Sequence, residues 1–172
     1  MQILVVSGAS GVGKTAAVEA LGARRLAGVR CFHFDCIGVP DASEMDRDYG
    51  GGMQWQEWAT REWIAKLRAL SDGTRVAVLD GQMHPSAVLG APSTGAHDDL
   101  HVVMLQCARD VRDARLHGPR GQPELASDRM ENWASHLVRD AEARGLTIID
   151  TTALDVEAVA DRLEAVVRRL GA

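Results

Sequence analysis

Several features that mark common protein classes are missing from this 172-residue sequence. No apolar run approaches the roughly 20 residues that a membrane-spanning helix requires. The N-terminal stretch lacks the basic region of a signal peptide, and its apolar run is too short for one. The sequence therefore predicts a cytoplasmic protein without a membrane segment.

Paired cysteines are missing as well. The chain has only three cysteines, Cys31, Cys36 and Cys107, and none of them belongs to a C-x-x-C pair. An odd number of cysteines at these spacings predicts reduced, buried thiols. The sequence gives no support for a disulfide framework, a redox motif or a cysteine-based metal site.

An excess of positive charge is also absent. The chain has 19 Lys and Arg residues against 24 Asp and Glu residues, which gives a net charge of −5 with histidine neutral. Nucleic-acid-binding proteins need cations to neutralise phosphates, so this balance argues against a nucleic-acid partner. The 46% of hydrophobic and 25% of charged residues are typical of globular proteins. The length predicts a single domain over residues 1–172.

Short apolar runs alternate with helical stretches along the chain, which predicts an α/β fold with a five-stranded parallel sheet. The predicted strands cover residues 2–8, 30–35, 75–80, 101–107 and 146–150. The predicted helical regions are 14–27, 53–71, a helix–loop–helix over about 108–143, and a last helix with apolar residues at helical spacing from Val156 to Leu170. Residues 41–52 and 90–99 are predicted to be loops.

One motif indicates the class of protein. Residues 8–15 match G-x-x-x-x-G-K-[ST] without a mismatch, between the first predicted strand and the first predicted helix. The glycines allow backbone N–H groups to turn towards phosphate oxygens, and Lys14 adds a positive charge for the β- and γ-phosphates. The hydroxyl of Thr15 is a suitable ligand for Mg²⁺. The predicted nucleotide-binding residues here are Gly8, Ala9, Ser10, Gly11, Val12, Gly13, Lys14, Thr15 and Ala16.

This motif alone does not distinguish a kinase from a GTPase or another ATPase. The N-K-x-D run by which GTPases read guanine is absent, although residues 35–38 match the weaker pattern D-x-x-G. The motif and the order of elements resemble the small-molecule and nucleotide kinases of the P-loop superfamily, such as shikimate kinase, gluconate kinase and chloramphenicol phosphotransferase. Residues 107–124 look like their mobile lid, and Arg115 to Gly121 is similar to the gluconate kinase lid with one extra residue before Arg120.

The resemblance implies a three-layer P-loop NTPase fold with an Arg-rich helical lid over about residues 108–130, and it implies ATP and Mg²⁺ as cofactors. It further implies that Arg112 lies near the adenine or the phosphates. Arg115 and Arg120 would act near the transferred group, and Lys14 would act with them in catalysis. The alternative is that these arginines are exposed to solvent or paired with Asp110 and Asp113 of the same segment.

Carboxylates end two of the predicted strands. If the second strand neighbours the first, Asp35 lies close to the phosphate-binding motif, and the resemblance implies that it accepts the proton of the acceptor hydroxyl or orients that hydroxyl. Asp80 ends the third strand and either holds Mg²⁺ through water or, with Gln82, contacts the acceptor. The resemblance also implies that Thr151 and Thr152, after the fifth strand, contact the nucleotide.

The acceptor is predicted to bind within about residues 36–72. From residue 36 to the middle of the helix predicted at 53–71, acidic residues outnumber basic ones. The only cations of that stretch are Arg47 and Arg61. Arg61 follows Glu57 by four residues, so a surface ion pair is an alternative to a phosphate contact. This slightly favours a neutral or cationic hydroxyl compound over a nucleotide as the acceptor.

Tryptophans are candidates for the core or for a wall of the acceptor pocket. Trp55, Trp58 and Trp63 lie within about one face of the same predicted helix, which indicates core packing, or a wall of the acceptor pocket for one of them. Trp133 is predicted to lie in the core, and His84 in a loop or at the surface.

The leading hypothesis from the sequence is transfer of the γ-phosphoryl group of Mg²⁺–ATP to a hydroxyl of a small-molecule acceptor. The alternatives are a nucleoside or nucleotide kinase, and a non-kinase P-loop ATPase or nucleotide-dependent switch. Acceptor specificity depends on loops that differ between proteins of one fold, so the sequence leaves the acceptor open. It leaves the oligomeric state open as well.

Overall fold

In the computed structural model, which describes residues 1–92, 99–118 and 120–171, five strands form one all-parallel sheet. Their order across the sheet is β2-β3-β1-β4-β5. The strands are β1 (Gln2–Ser7), β2 (Val29–His33), β3 (Val76–Gly81), β4 (Leu100–Gln106) and β5 (Thr147–Asp150). The five strands and the parallel sheet predicted from the sequence are confirmed. The prediction succeeded because central parallel strands, buried on both faces, consist of nearly continuous apolar runs.

Seven α-helices flank the sheet in the described part of the chain. They are α1 (Lys14–Ala23), α2 (Ala42–Tyr49), α3 (Gly52–Arg68), α4 (Pro85–Leu89), α5 (Arg109–His117), α6 (Asp128–Ala143) and α7 (Val156–Arg169). Short 3-10 turns lie at Phe34–Ile37 and Pro123–Leu125. None of the helices described is long and apolar enough to cross a membrane.

The core lies on both sides of β1, whose residues from Ile3 to Val6 are fully buried. On one face the sheet packs against α3 and α4, and on the other against α1 and α7. The first face is covered by Trp55, Ala59, Trp63, Ile64, Leu67 and Val88. The second face is covered by Ala17, Val18, Leu21, Val159, Leu163 and Val167. Helix α6 adds Leu137 and Ala141 beside β4.

Two short helices are missing from the sequence prediction. Helix α2 occupies most of the predicted loop 41–52, so that part of the prediction is wrong. A capping box begins this helix, in which Asp41 and Glu44 each accept a hydrogen bond from the other's backbone N–H. None of its residues is buried, and Met45 and Tyr49 pack only partly against the core, so its apolar pattern is too short to predict a helix. Helix α4 begins at Pro85, a favourable first position.

Parts of two predicted segments lie outside the described residues. They are residues 93–98 of the predicted loop 90–99, and Pro119 within the predicted lid. The other residues of the predicted lid include α5 and the beginning of α6.

The strand order corrects the expected position of Asp35. β3 lies between β1 and β2, so the neighbour of β1 on that side ends in Asp80, and Val6 is in register with Asp80. The assumption that the second strand neighbours the first is therefore wrong. Asp35 also lies beyond the end of β2, in the 3-10 turn at Phe34–Ile37, where it is exposed.

The turn that carries Asp35 is held by a tryptophan. The indole Nε1 of Trp63 donates a buried hydrogen bond to the carbonyl oxygen of Phe34 at 2.9 Å. We expect Trp63→Phe to lower the free energy of unfolding by about 1–3 kcal/mol, because the buried carbonyl loses its partner. Trp58→Phe on the same helix is the matched control, since Trp58 is 41% exposed. We expect the control to change stability by no more than about 0.5 kcal/mol in urea denaturation.

Candidate functional site

The loop between β1 and α1 approaches its neighbours so closely that two of its glycines have no room for a side chain. A Cβ atom on Gly8 would lie 2.4 Å from the carbonyl oxygen of Leu105, and one on Gly11 would lie 2.7 Å from Cγ of Arg112. Gly11 also has a φ of +84°, which side chains rarely adopt. The glycines of the motif thus hold the loop against β4 and α5.

Lys14 begins α1 and is largely buried, with an exposure of 8%. Its Nζ donates a hydrogen bond to the carbonyl oxygen of Ala9 at 2.8 Å, across the loop. Burial lowers the pKa of Lys14 from its ordinary value to about 8. The charge of Asp80 opposes this shift, and the charge of Arg120 adds to it. The site therefore holds an ammonium group that an incoming anion would stabilise.

A hydroxyl and a carboxylate meet beside this lysine. Asp80 is 3% exposed, and its Oδ2 accepts a hydrogen bond from Oγ1 of Thr15 at 2.7 Å. Its Oδ1 lies 2.7 Å from Nδ1 of His33. Oxygen donors of this kind suit a hard divalent cation such as Mg²⁺.

The sequence analysis missed His33. This histidine ends β2 and is in register with Asp80 across the β2–β3 pair. The position could have been found from the sequence only if the strand order had been known.

A first cavity of about 510 Å³ opens at the N-terminal end of α1. Its lining residues are Gly11, Val12, Gly13, Lys14, Thr15, Ala16, Arg115, Arg120, Thr151, Leu154, Asp155, Val156 and Val159. Most of the predicted nucleotide-binding residues are thus brought together. Leu154 and the first residues of α7 were not predicted to line a nucleotide site, because their apolar side chains are typical of any helix that packs against a core.

Arg115 and Thr151 tie the wall of the first cavity to the loop. The guanidinium of Arg115 donates to the backbone oxygen of Thr151 at 2.9 Å and to its Oγ1 at 3.1 Å. Thr151, which is 1% exposed, donates in turn to the carbonyl oxygen of Val12 at 3.0 Å. Thr152 lies outside this wall, since its Oγ1 accepts from the backbone N–H of Ala108.

Arg112 occupies a different place from the expected one. It is 2% exposed, it pairs with Glu131 on α6, and it is not among the lining residues of the first cavity. Its side chain packs beneath Gly11. Asp113, an expected alternative partner, is 3.9 Å away. Arg112 therefore supports the loop from below, while Arg115, one helical turn later, lines the cavity.

Three further residues predicted to belong to the site, Ser10, Asp35 and Arg120, lie in or near the phosphate-binding loop. Ser10 is 2% exposed, and its Oγ accepts from Nε2 of Gln82 at 2.9 Å. Asp35 is exposed, and its charge tends to raise the pKa of Lys14, so it lies within electrostatic reach of the ammonium. Arg120 lines the first cavity, and its Nε donates to Gln122 at 2.5 Å.

A second cavity of about 1180 Å³ lies between α3, the start of α4 and α6. Its lining residues are Gly52, Met53, Gln56, Glu57, Thr60, Arg61, Gln82, His84, Ser86, Ala87, Gly90, Glu124, Leu125, Ser127, Arg129, Met130, Asn132, Trp133 and His136. Helix α3 is the part of the predicted acceptor region 36–72 that contributes to it.

Trp133, predicted to be core, is partly buried and packs against the core, and it also lies on the wall of the second cavity. Trp55 and Trp63 are buried in the core, and Trp58 lies against Tyr49 at the surface. His84, predicted to be a loop or surface residue, is partly buried on the same cavity wall. No sequence pattern indicates these positions, because they depend on how α6 packs against α4.

Several solved structures have a fold similar to that of this chain. A gluconokinase from Sinorhizobium meliloti matches with a TM-score of 0.65 and 18% identity, over 98% of this chain and 93% of the other. The shikimate kinase from Acinetobacter baumannii, in complex with shikimate, matches with a TM-score of 0.62 and 14% identity, over 99% and 95%. The tunicamycin resistance protein of Deinococcus radiodurans matches with a TM-score of 0.60 and 18% identity, over 96% and 95%.

The chain has the fold of the P-loop small-molecule kinases. This agrees with the resemblance drawn from the phosphate-binding motif. Comparisons of the sequence with protein-family models and with curated protein sequences give no match. At 14–18% identity, the structural likeness establishes the P-loop kinase fold, and the reaction has to be argued from the site residues.

The Arg112–Glu131 pair makes the loop sensitive to a change on α6. The guanidinium of Arg112 holds the pKa of Glu131 below its ordinary value. We expect Glu131→Gln to lower the free energy of unfolding by about 1–3 kcal/mol, because a buried arginine loses its counter-charge. Glu142→Gln, at an exposed position of the same helix, is the control. Equal stabilities of the two variants in urea denaturation would show that the pair does not support the loop.

Proposed function

We propose that this protein is a kinase that transfers the γ-phosphoryl group of Mg²⁺–ATP to a hydroxyl group of a small molecule. The observation that carries the proposal is the contact of Thr15 with Asp80 beside the buried Lys14, at the opening of the first cavity. This arrangement supplies a cation site and a charge for phosphate at one point. Phosphoryl transfer requires mainly such positioning and charge neutralisation.

The first cavity would hold the nucleotide. Backbone N–H groups of the loop and the N-terminus of α1 would bind the phosphates, since helix N-termini favour anions. Thr151 and the apolar Leu154 line the cavity and would flank the base and the ribose. Arg115, predicted to act near the transferred group, lines the same cavity and bonds to Thr151, so it would need to leave Thr151 to reach that group. The buried Arg112 would act indirectly by supporting the loop.

Thr15 and Asp80 would hold Mg²⁺, Thr15 directly and Asp80 directly or through water. When bound, the cation would neutralise charge on the β- and γ-phosphate oxygens. His33 would keep the carboxylate of Asp80 oriented, because its Nδ1 already pairs with Oδ1 of that group. This assignment prefers the metal role of Asp80 to the acceptor role, since the carboxylate is 3% exposed.

Asp35 is the proposed base or orienting group for the acceptor hydroxyl. It is exposed and lies within electrostatic reach of Lys14, although it is not among the lining residues of either cavity. Lys14 and Arg120 would neutralise the transferred group from the other side. The second cavity would bind the acceptor, because Gln82 lies on its wall and bonds to Ser10 of the loop.

The names of the structural neighbours support a hydroxylated small molecule as the acceptor class, since gluconate and shikimate are polyhydroxy compounds, although both also have a carboxylate. A nucleoside or nucleotide kinase remains the alternative enzyme. Its acceptor would need cations for a second phosphate, and Arg61 in the second cavity already faces Glu57 at 3.9 Å. A nucleotide-dependent switch would bind ATP without forming a phosphorylated small molecule.

Asp35→Asn separates catalysis from nucleotide binding. We expect the variant to keep its Kd for Mg²⁺–ATP within about twofold while turnover falls by about 100-fold or more, because the hydroxyl loses its proton acceptor. Phosphotransfer from radiolabelled ATP and calorimetry are the measurements. Asp46→Asn, at an exposed position of α2, is the control and should retain full turnover. Undiminished turnover of Asp35→Asn would remove Asp35 from the mechanism.

The pKa of Lys14 predicts how nucleotide affinity depends on pH. With a pKa of about 8 in the free protein, Lys14 loses its proton as pH rises, whereas a bound triphosphate favours the charged form. We expect affinity for Mg²⁺–ATP to fall between about pH 7 and pH 9, approaching tenfold per pH unit above the pKa. Calorimetry in buffers of different ionisation enthalpy should show proton uptake on binding above the pKa.

Lys14→Met is the control for this pH dependence. The variant should bind Mg²⁺–ATP weakly at every pH and without proton uptake, because it has no titrating ammonium. Proton uptake that persists in Lys14→Met would assign the titration to another group.

A further inference from the structure

Two histidines from different elements meet on the wall of the second cavity. His84 precedes α4 and His136 belongs to α6, and their Nε2 atoms lie 2.7 Å apart. Nδ1 of His84 lies 3.0 Å from Oδ2 of Asp140, which also accepts from the backbone N–H of Ser86. The ring of Trp133 stacks on His136 with centroids 5.8 Å apart. The pair is thus held from both sides.

The contacts of this pair favour one arrangement of its protons. Nδ1 of His84 lies near both Oδ2 of Asp140 and Oγ of Ser86, at 3.0 and 2.5 Å. Because a carboxylate only accepts hydrogen bonds, a proton on Nδ1 satisfies Asp140 and leaves Nε2 as an acceptor. His136 then donates its Nε2 proton to His84, and a second proton between the two nitrogens would be repelled. Burial is the main cause that lowers the pKa of His84, with His136 and Arg144 adding to it and Asp140 opposing it. This shift favours the neutral form of His84.

The charged side chains on the wall of the second cavity balance one another. Of the described residues that line it, two are acidic, Glu57 and Glu124, and two are basic, Arg61 and Arg129, and all four are exposed. A carboxylate or phosphate acceptor would be matched by a local excess of arginine or lysine. The cavity has no such excess.

The second cavity is also large and partly apolar. Its volume of about 1180 Å³ exceeds the roughly 300–1,000 Å³ of most small-molecule sites. A single sugar ring would leave much of it empty. Met130, Leu125 and the face of Trp133 supply apolar surface, and Gln56 and Gln82 supply uncharged hydrogen-bonding groups.

We propose that the second cavity binds an uncharged, hydroxylated acceptor larger than one sugar ring, with Nδ1 of His136 hydrogen-bonding to it, His84 orienting His136, and Trp133 packing against it. This inference rests on the proposed kinase function, because it assigns the acceptor class of that reaction. Substrates with a carboxylate would lose their hydration in a cavity whose lining has no net positive charge from Arg and Glu residues.

A panel of matched compounds tests the acceptor class. It contains uncharged disaccharides and trisaccharides, each beside its carboxylate counterpart, with glucose and gluconate as small members. Calorimetry without nucleotide measures binding, and phosphotransfer from radiolabelled ATP measures reaction. We expect the large uncharged members to bind at least about tenfold more tightly than their counterparts and to be phosphorylated preferentially. Equal or tighter binding of the carboxylates, or no binding of any uncharged member, would overturn the inference.

The histidine pair is tested with His136→Gln on whichever uncharged member binds. We expect KM for that member to rise about tenfold or more, with KM for ATP unchanged and kcat within about threefold. His101→Gln is the control, since His101 bonds to Gln2 at the start of β1. Unchanged KM in His136→Gln would overturn the role of the pair. Failure of the kinase function itself would appear separately, as ATP consumption that does not depend on Lys14.

Discussion

The arrangement of the site depends on a lysine ammonium that is almost removed from water. Lys14 is 8% exposed and has only the carbonyl oxygen of Ala9 as a hydrogen-bond partner among the described contacts. Desolvation of such a group opposes its charge, and nearby carboxylates offset only part of this. A triphosphate would supply the missing negative charge at the point where the loop N–H groups converge. The close packing of Gly8 and Gly11 keeps that point fixed.

The fold and the centre of the site could be predicted from the sequence because they depend on local patterns. The strands are continuous apolar runs, and the phosphate-binding motif has a fixed spacing between a strand and a helix. The prediction was wrong or incomplete where the position of a residue depends on pairing between strands that are distant in sequence. The position of Asp35 depended on the strand order, and the contact of His33 with Asp80 depended on the β2–β3 register. Helix α2 was missed because it buries none of its residues.

The second cavity, where we propose that the acceptor binds, was the least predictable part of the described structure. Residues 36–72 were expected to form it, but α6 and the start of α4 contribute as much of the wall as α3 does. These elements are distant in sequence, and no motif links them. Arg112 shows the same limit at one position, since α5 presents Arg112 to the underside of the loop and Arg115 to the cavity. Helical periodicity predicts that Arg112 and Arg115 lie on different faces of α5. Which face packs against the loop and which lines the cavity depends on tertiary packing.

Helix α6 takes part in both halves of the site. Near its start, Glu131 pairs with the arginine beneath Gly11, and more than one turn later His136 lies on the wall of the second cavity. Because one helix carries both residues, a shift of α6 on binding of the proposed acceptor would also shift the support of the loop. The affinity for nucleotide would then change, and thermodynamic reciprocity requires the nucleotide to change the affinity for the acceptor by the same factor.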